Sequence, residues 1–145
     1  MTPSQLTTLK VAMLADANLT TYVTNGDDGA IANYYNSTGV STLWRPVITI
    51  AELNNAIVWS EFAGLTVALQ NTYLAMTQGG VIDSTQANIR GGFTTVFTGK
   101  SSLANLISLS QRTATKFEDI FTTTNVCSLF GYQVSLTDIH NARSA

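Results

Sequence analysis

The stretch SSLANLISLSQRTATKFEDIF, residues 101–121, decides the fold prediction because it is the longest periodic segment of the chain. Its apolar and small residues recur three or four positions apart, which is the spacing of one face of an α-helix. This stripe consists of Leu103, Leu106, Ile107, Ser110, Ala114, Phe117 and Phe121. The segment therefore predicts one long helix that packs against a core through this face.

Capping residues outside this segment predict several shorter helices. A side chain that accepts a hydrogen bond from the first turn, with a Gln, Glu or Asp three positions later, is typical of a helix N-terminus. Such starts occur at Thr2 with Gln5, Thr49 with Glu52, Thr66, the run 83–86, and Ser135 with Asp138. Gly79 and Gly80 are expected to end one helix, and Gly99 another.

The remaining segments are less periodic. Residues 36–45 are predicted to form an ordered loop, and 58–62 the end of a helix followed by a buried connection. Gly91 and Gly92 lie inside a predicted helix, which indicates a close approach to another helix. Residues 122–134 have loop-like or strand-like content, so a loop and a short hairpin both remain open. These elements together predict an all-α, mainly helical fold.

We expect a compact bundle of about six or seven short helices, with room for one small β-hairpin near the C-terminus. No linker divides the chain, so a single helical domain over residues 1–145 is predicted.

Charge is scarce in this chain. Asp, Glu, Lys and Arg make up 11% of the residues, against about 25% in an ordinary soluble domain. Thr, Ser, Asn and Gln supply most of the polar surface. A surface with so little charge repulsion suits a protein that is largely covered by its neighbours.

The same composition disfavours several classes of function. A net charge of −2 argues against nucleic acid as the main partner, because such proteins present a basic surface. No apolar run approaches the length of a membrane span, so no membrane partner is expected. Cys127 is the single cysteine, which excludes an internal disulfide. No signal peptide is expected, and a cytoplasm is the predicted place of synthesis.

Residues with catalytic or metal-binding chemistry are few and scattered. Asp27 and Asp28 lie in a turn without the rest of a calcium loop, so helix capping is the simpler interpretation. Cys127 and His140 could form a dyad, but Cys127 sits among apolar residues, where a buried thiol is usually inert. Glu61 lies between Trp59 and Phe62, which could raise its pKa, although pairing with Arg45 or Arg90 is the commoner solution. No catalytic residue, metal site or cofactor is predicted, and the chain is not expected to be an enzyme.

Several segments together resemble a known group of proteins. They are LWR at 43–45, VWSEFAGLT at 58–66, NIRGGF at 88–93, ATKFEDIF at 114–121 and VSLTDI at 134–139. The pattern is similar to that of small structural-region proteins of tailed bacteriophages. It rests on core positions and not on a catalytic signature. The resemblance implies a virion or assembly protein. The expected location is the virion, which is assembled in the host cytoplasm.

The leading hypothesis is a bacteriophage virion structural protein that acts through protein–protein contacts. Its favoured role is a head–tail connector or neck adaptor subunit in a homo-oligomeric ring or shell, with portal, capsid or tail subunits as partners. A capsid decoration (cement) protein, another tail protein and a non-virion tail assembly chaperone are the alternatives. A small enzyme using Glu61, or Cys127 with His140, is the competing class.

Partner contacts are predicted in the two least helical regions, residues 26–43 and 122–132. Loops concentrate binding residues, and aromatic residues are enriched in interfaces. The candidate contact residues are Tyr34, Tyr35, Leu43, Phe130 and Tyr132.

Overall fold

The computed structural model describes residues 1–145 and is mostly helical, with 61% helix and 14% strand. The helices are α1 (Pro3–Ala15), α2 (Thr20–Asn25), α3 (Asp28–Asn36), α4 (Ile50–Ala56), α5 (Trp59–Ala63), α6 (Val67–Thr77), α7 (Ala87–Phe97), α8 (Ser101–Leu109), α9 (Lys116–Ile120) and α10 (Leu136–Ser144). The strands are β1 (Thr38–Trp44), β2 (Ile48–Thr49), β3 (Val81–Ile82), β4 (Gln111–Thr115), β5 (Thr122–Thr123) and β6 (Val126–Cys127).

Mainly helical character is thereby confirmed, while the finer prediction is wrong in two respects. Ten α-helices replace the predicted six or seven, and three two-stranded sheets replace the single hairpin. None of the helices combines the length and the apolar character that crossing a bilayer requires. The chain divides into two compact units, one formed by residues 1–41 with 113–145 and the other by residues 42–112. A single domain over residues 1–145 stays a prediction.

The first unit is built on helices α1, α3, α9 and α10. Its core contains Leu9, Met13, Leu19, Ile31, Phe117 and Ile139, all of which are buried. Asn36 joins distant parts of this unit, because its amide group donates to the Val134 carbonyl and accepts from the Val134 N–H, both at 2.9 Å. Main-chain polar groups near the core are thus satisfied by a side chain from α3.

The second unit packs α4, α6, α7 and α8 around Leu53, Tyr73, Phe93, Phe97 and Leu106. Strands β2 and β3 pair antiparallel across it, with Ile48 opposite Ile82. Helices α6 and α7 approach closely, since a Cβ atom at Gly92 would overlap the Met76 side chain, whereas Gly91 faces open space. The close approach expected at these two glycines is therefore confirmed for Gly92.

The long helix predicted over residues 101–121 is wrong. Helix α8 ends at Leu109, and β4 occupies 111–115 before α9 begins. Thr115 starts α9 by a capping box: its hydroxyl accepts from the Glu118 N–H, and the Glu118 carboxylate accepts from the Thr115 N–H at 2.8 Å. A complete capping box satisfies the free groups of a new helix and so favours a break at this point.

This break also places two basic residues that are four positions apart on different elements. Arg112 lies in β4, whereas Lys116 opens α9 and places its ammonium group 3.6 Å from the centre of the Tyr34 ring. Through this cation–π contact, the Lys116 ammonium group has a partner within the protein.

Three smaller predictions are corrected. Residues 38–44 form strand β1 instead of a loop, and α5 begins at Trp59 instead of ending at Phe62. The Asp83 carboxylate folds back onto the Thr85 N–H at 2.9 Å, so it makes a local turn and α7 begins only at Ala87. Asx turns of this kind compete with helix capping.

Of the two alternatives left open for residues 122–134, a loop and a short hairpin, the structure contains the hairpin. Strands β5 and β6 pair Thr122 with Cys127, and the turn falls on Thr124 and Asn125. Both turn residues have positive φ angles, 52° and 63°. Asn tolerates this left-handed region better than most residues, while Thr is strained there.

Candidate protein–protein interface

All nine acidic side chains already have a partner within the chain. Each accepts at least one hydrogen bond from a backbone N–H or from another side chain. They are Asp16, Asp27, Asp28, Glu52, Glu61, Asp83, Glu118, Asp119 and Asp138. The carboxylates thus serve as helix caps, turn formers and internal ion pairs.

Most basic side chains also have a partner within the chain. Arg143 pairs with Asp28 at 2.7 Å, and Arg45 pairs with Glu52 at 2.7 Å while donating to the Leu109 carbonyl. Arg90 lies over the Trp44 ring, 4.6 Å from its centre. A surface whose ions are already paired can be covered by another protein with little desolvation of unpaired charge.

Glu61 illustrates how a carboxylate is used. Its two oxygens accept from the N–H groups of Ser101 and Ser102, each at 2.9 Å, and from the Ser102 hydroxyl at 2.7 Å. Glu61 therefore caps α8 from a different helix. The hydrogen bond from the Ser102 hydroxyl, together with the two backbone bonds, lowers the pKa of Glu61 from 4.5 to about 2. Both earlier expectations, a raised pKa and an arginine partner, are wrong.

This cap predicts a defined loss of stability in acid. Because the folded-state pKa lies below 4.5, the contribution of Glu61 is complete above pH 4.5 and disappears as the pH falls towards about 2. We expect the Glu61→Gln variant to show a shallower decline in urea midpoint between pH 4.5 and pH 2 than the wild type. Thr94→Ser, an exposed change on α7, should follow the wild-type curve. Parallel curves for Glu61→Gln and the wild type would show that the carboxylate stabilises nothing.

Cys127 and His140 have different surroundings. Cys127 is buried, and its thiol lies 3.5 Å from the Glu118 carbonyl oxygen. His140 is exposed on α10, where Nδ1 lies 3.7 Å from the Asp28 carboxylate. No three His, Cys, Asp or Glu side chains come together in a group that could hold a metal ion.

The five predicted contact residues differ in exposure. Tyr34, Phe130 and Tyr132 are half-buried. Tyr34 donates to Asp16 at 2.7 Å, and Tyr132 donates to Asp138 at 2.9 Å. Tyr35 and Leu43 are buried in the core, which corrects their assignment as contacts. Their positions on the inner faces of α3 and β1 direct these side chains inwards.

Tyr35 has an unusual feature for a core residue, because its buried hydroxyl has no hydrogen-bond partner. Burial also raises the pKa of this phenol. We expect Tyr35→Phe to leave the free energy of unfolding unchanged or to raise it by about 1 kcal/mol, since it removes an unsatisfied polar group. Chemical denaturation measures this directly. A loss of more than about 1 kcal/mol would mean that the hydroxyl has a favourable contact.

Trp59 is the most exposed aromatic residue of the chain. Trp59 is 53% exposed and stands at the outer end of a row of edge-on rings. Phe62 contacts Trp59 with ring centres 5.5 Å apart, and Tyr73 and Phe97 continue the row into the core. A large indole anchored on such a row is a typical binding hot spot.

Helix α6 carries apolar residues on its outer face as well as on its core face. Tyr73 faces the core, while Val67 and Leu74, seven positions apart, lie on the outer face and are 71% and 53% exposed. The outer face of a surface helix normally carries charged and polar residues. The outer face of α6 is therefore a second exposed apolar surface of this unit.

Helix α1 repeats this pattern in the first unit. Leu9 and Met13 face the core, while Val11 and Leu14 are exposed by 63% and 66%. Beside Leu14, a cleft of about 160 Å³ is lined by Met13, Leu14, Thr20, Val23 and Thr24. Exposed apolar surface next to a concave site is typical of a protein contact region.

No protein-family model, curated protein or solved structure matches this chain. The candidate site therefore rests on the geometry of the molecule. That geometry consists of exposed Val, Leu and Trp side chains on a surface whose carboxylates are all engaged.

Proposed function

We propose that this protein is a structural subunit of a tailed-phage virion that works through contacts with neighbouring subunits. The observation that carries the proposal is the set of large apolar side chains left exposed on α1, α5 and α6. Exposed apolar surface that would otherwise be buried marks a contact with another protein.

Charge supports the same proposal. A free monomer is kept apart from its copies by unpaired surface charge, and this chain has little of it. The few ions present are held in internal pairs and helix caps, as with Arg143 and Asp28. Burying this surface in an assembly leaves few charges without solvent or a partner.

Within this class we propose a head–tail connector or neck adaptor that forms a ring against portal, capsid or tail subunits. A capsid decoration protein is the nearest alternative. The resemblance to phage structural-region proteins, carried by segments such as VWSEFAGLT at 58–66, supports both roles equally.

The test is the protein composition of purified particles. Mass spectrometry of intact virions, compared with the infected-cell lysate, is expected to find the protein in the particles at a fixed copy number. Its presence in the lysate together with its absence from particles would contradict the proposal and favour a non-virion tail assembly chaperone. Locating the chain in a low-resolution particle map would then separate a neck role from a capsid-surface role.

Trp59 gives a prediction in solution. We expect Trp59→Ser to lower the free energy of unfolding by only about 1 kcal/mol, because the indole is 53% exposed and loses its contact with Phe62 alone. The same change should weaken self-association or partner binding by about 2 kcal/mol or more, as for a hot-spot residue. Sedimentation at several concentrations measures the association.

A fluorescence experiment supplies an independent readout for Trp59. In a Trp44→Phe background, Trp59 is the single tryptophan, so its emission should move to shorter wavelength on assembly. Thr94→Ser is the matched surface control and should leave both association and emission unchanged. Unaltered association of Trp59→Ser would remove this residue from the interface.

A further inference from the structure

Asn25 and Gly26 form the only Asn-Gly pair of the chain. Glycine has no Cβ atom, so its main-chain nitrogen can approach the side chain of a preceding asparagine without steric hindrance. Both residues are exposed, and the Asn25 side-chain amide makes no hydrogen bond within the chain. Asparagine is also among the residues that are chemically labile over time. This pair is therefore open to an intramolecular reaction.

The end of α2 holds the Gly26 nitrogen. Gly26 has a φ angle of 70°, and its N–H donates to the carbonyl groups of Tyr22 and Val23, the second at 3.3 Å. These hydrogen bonds keep the nitrogen from the Asn25 side chain while the last turn is closed. A reaction at Asn25 therefore requires this turn to open.

Helix α2 has little to hold it closed. It has six residues, none of which is buried, and Leu19 at its N-terminus provides no side-chain cap. Helices this short are unstable by themselves, and helix ends with few buried contacts open at little cost in free energy. The Gly26 nitrogen is accordingly released at intervals in the folded protein.

A positive charge lies beside the same turn. A Cβ atom at Gly26 would lie 3.3 Å from Nη1 of Arg143, and Arg143 pairs with Asp28 at 2.7 Å. A new carboxylate at position 25 would be repelled by Asp27 and Asp28, and the guanidinium group offsets this repulsion. The folded chain thus has a partner for a charged product.

We propose that Asn25 is a site of spontaneous deamidation in the folded protein. The Gly26 nitrogen loses its proton to hydroxide and attacks Cγ of Asn25, which forms a succinimide ring. The bond from Cγ to the side-chain amide nitrogen breaks, and this nitrogen takes a proton from water and leaves as ammonia. Hydroxide is thereby regenerated.

Water then opens the ring. It adds either to Cγ or to the main-chain carbonyl carbon of Asn25, and the bond from that carbon to the Gly26 nitrogen breaks. The nitrogen regains its proton, and the new carboxylic acid ionises. The first route gives aspartate and the second gives isoaspartate. The reaction consumes only water, so it does not depend on the proposed function.

The isoaspartate product changes the main chain as well as the charge. It adds one methylene group to the path between α2 and Gly26, so the hydrogen bonds from the Gly26 N–H cannot keep their geometry. Helix α2 contributes Thr20, Val23 and Thr24 to the cleft beside α1. Deamidation therefore alters this cleft as the protein ages.

Peptide mapping by mass spectrometry tests the proposal on the purified full chain, kept folded in mildly alkaline buffer. We expect the amide-to-acid mass increase at Asn25 to build up at least about tenfold faster than at any other asparagine, since each of the others precedes a residue with a Cβ atom. Isoelectric focusing should show one additional negative charge over the same period.

Two glutamine variants serve as controls. Asn25→Gln should abolish the charge shift, because glutamine has to close a larger ring. Asn33→Gln, an exposed change on α3 before Tyr34, should leave the shift unchanged. Conversion of Asn25 no faster than Asn33, or persistence of the shift in Asn25→Gln, would overturn the proposal.

The opening of α2 has its own readout. Thr21→Ala, an exposed change that strengthens the helix, should slow conversion of the folded chain by about twofold to threefold and leave the rate in urea unchanged. Equal rates for the folded variant and the folded wild type would contradict the requirement for opening. An Asn25 that stays intact in the folded chain while the urea-denatured chain converts fully would overturn deamidation in the folded protein.

Discussion

Replacing Glu118 by Ala is expected to lower the free energy of unfolding by about 3 to 5 kcal/mol. Glu118 is fully buried in the first unit. One carboxylate oxygen accepts from the Gly131 N–H at 2.6 Å, and the other accepts from the Thr115 N–H at 2.8 Å. Truncation of this buried side chain leaves both part-buried donors without these acceptors, at about 1 to 3 kcal/mol each. Urea denaturation followed by circular dichroism measures the loss.

Two variants make this prediction specific. Gln5→Ala removes the corresponding side chain from the exposed capping box of α1, and we expect a loss of about 1 kcal/mol. Glu118→Gln keeps the shape and one acceptor oxygen, so it should fall between Glu118→Ala and the wild type. If Glu118→Ala costs no more than Gln5→Ala, the tie between α9 and Gly131 contributes nothing to stability.

The same glutamate shows where sequence reasoning succeeded and failed. Capping boxes at Thr2, Thr49 and Ser135 were predicted and are present with both hydrogen bonds. Thr115 and Glu118 have the same spacing, but the apolar stripe runs on through Ala114 and Phe117, so the segment resembled one helix. Periodicity cannot distinguish a continuous helix from two elements whose apolar residues face the same core.

Long-range contacts account for most of what the sequence did not predict at the candidate site. Glu61 caps α8 across 40 positions of sequence, and no local pattern reports such a partner. Trp59 has the helical spacing of a core residue, yet only the inner neighbour Phe62 reaches the core. An exposed aromatic residue and a buried one can therefore have the same helical spacing, and a single sequence does not distinguish them.

The composition alone shows that charged residues are few, and the structure shows what the acidic ones do. Each carboxylate stabilises a particular turn or helix end, as Asp27 does for the Ala30 N–H and Asp119 does for β1. Every acidic residue of the chain therefore has a structural role. Hydroxyl and amide groups form the remaining polar surface, and these can be covered by a neighbour at lower cost than ions.

Gly39→Ala is expected to lower the free energy of unfolding by about 3 kcal/mol. A Cβ atom at this position would lie 2.7 Å from the Thr115 carbonyl oxygen and would overlap the Asp119 carboxylate. Because a backbone atom is among those contacted, rotation of a side chain cannot relieve the clash. The backbone would have to move, and the hydrogen bonds from the Val40 and Ser41 N–H groups to Asp119 would be lost or lengthened.

Gly91→Ala is the matched control, because it adds the same methyl group in α7 where no atom lies within 4 Å. In a helix interior this change should raise the free energy of unfolding by about 0.5 to 1 kcal/mol. The two variants therefore differ in sign, which a pair of urea titrations resolves. Similar effects of both changes would mean that β1 does not approach α9 as closely as Gly39 indicates. A loss confined to Gly39→Ala would support the close approach of Gly39 to Thr115 and Asp119.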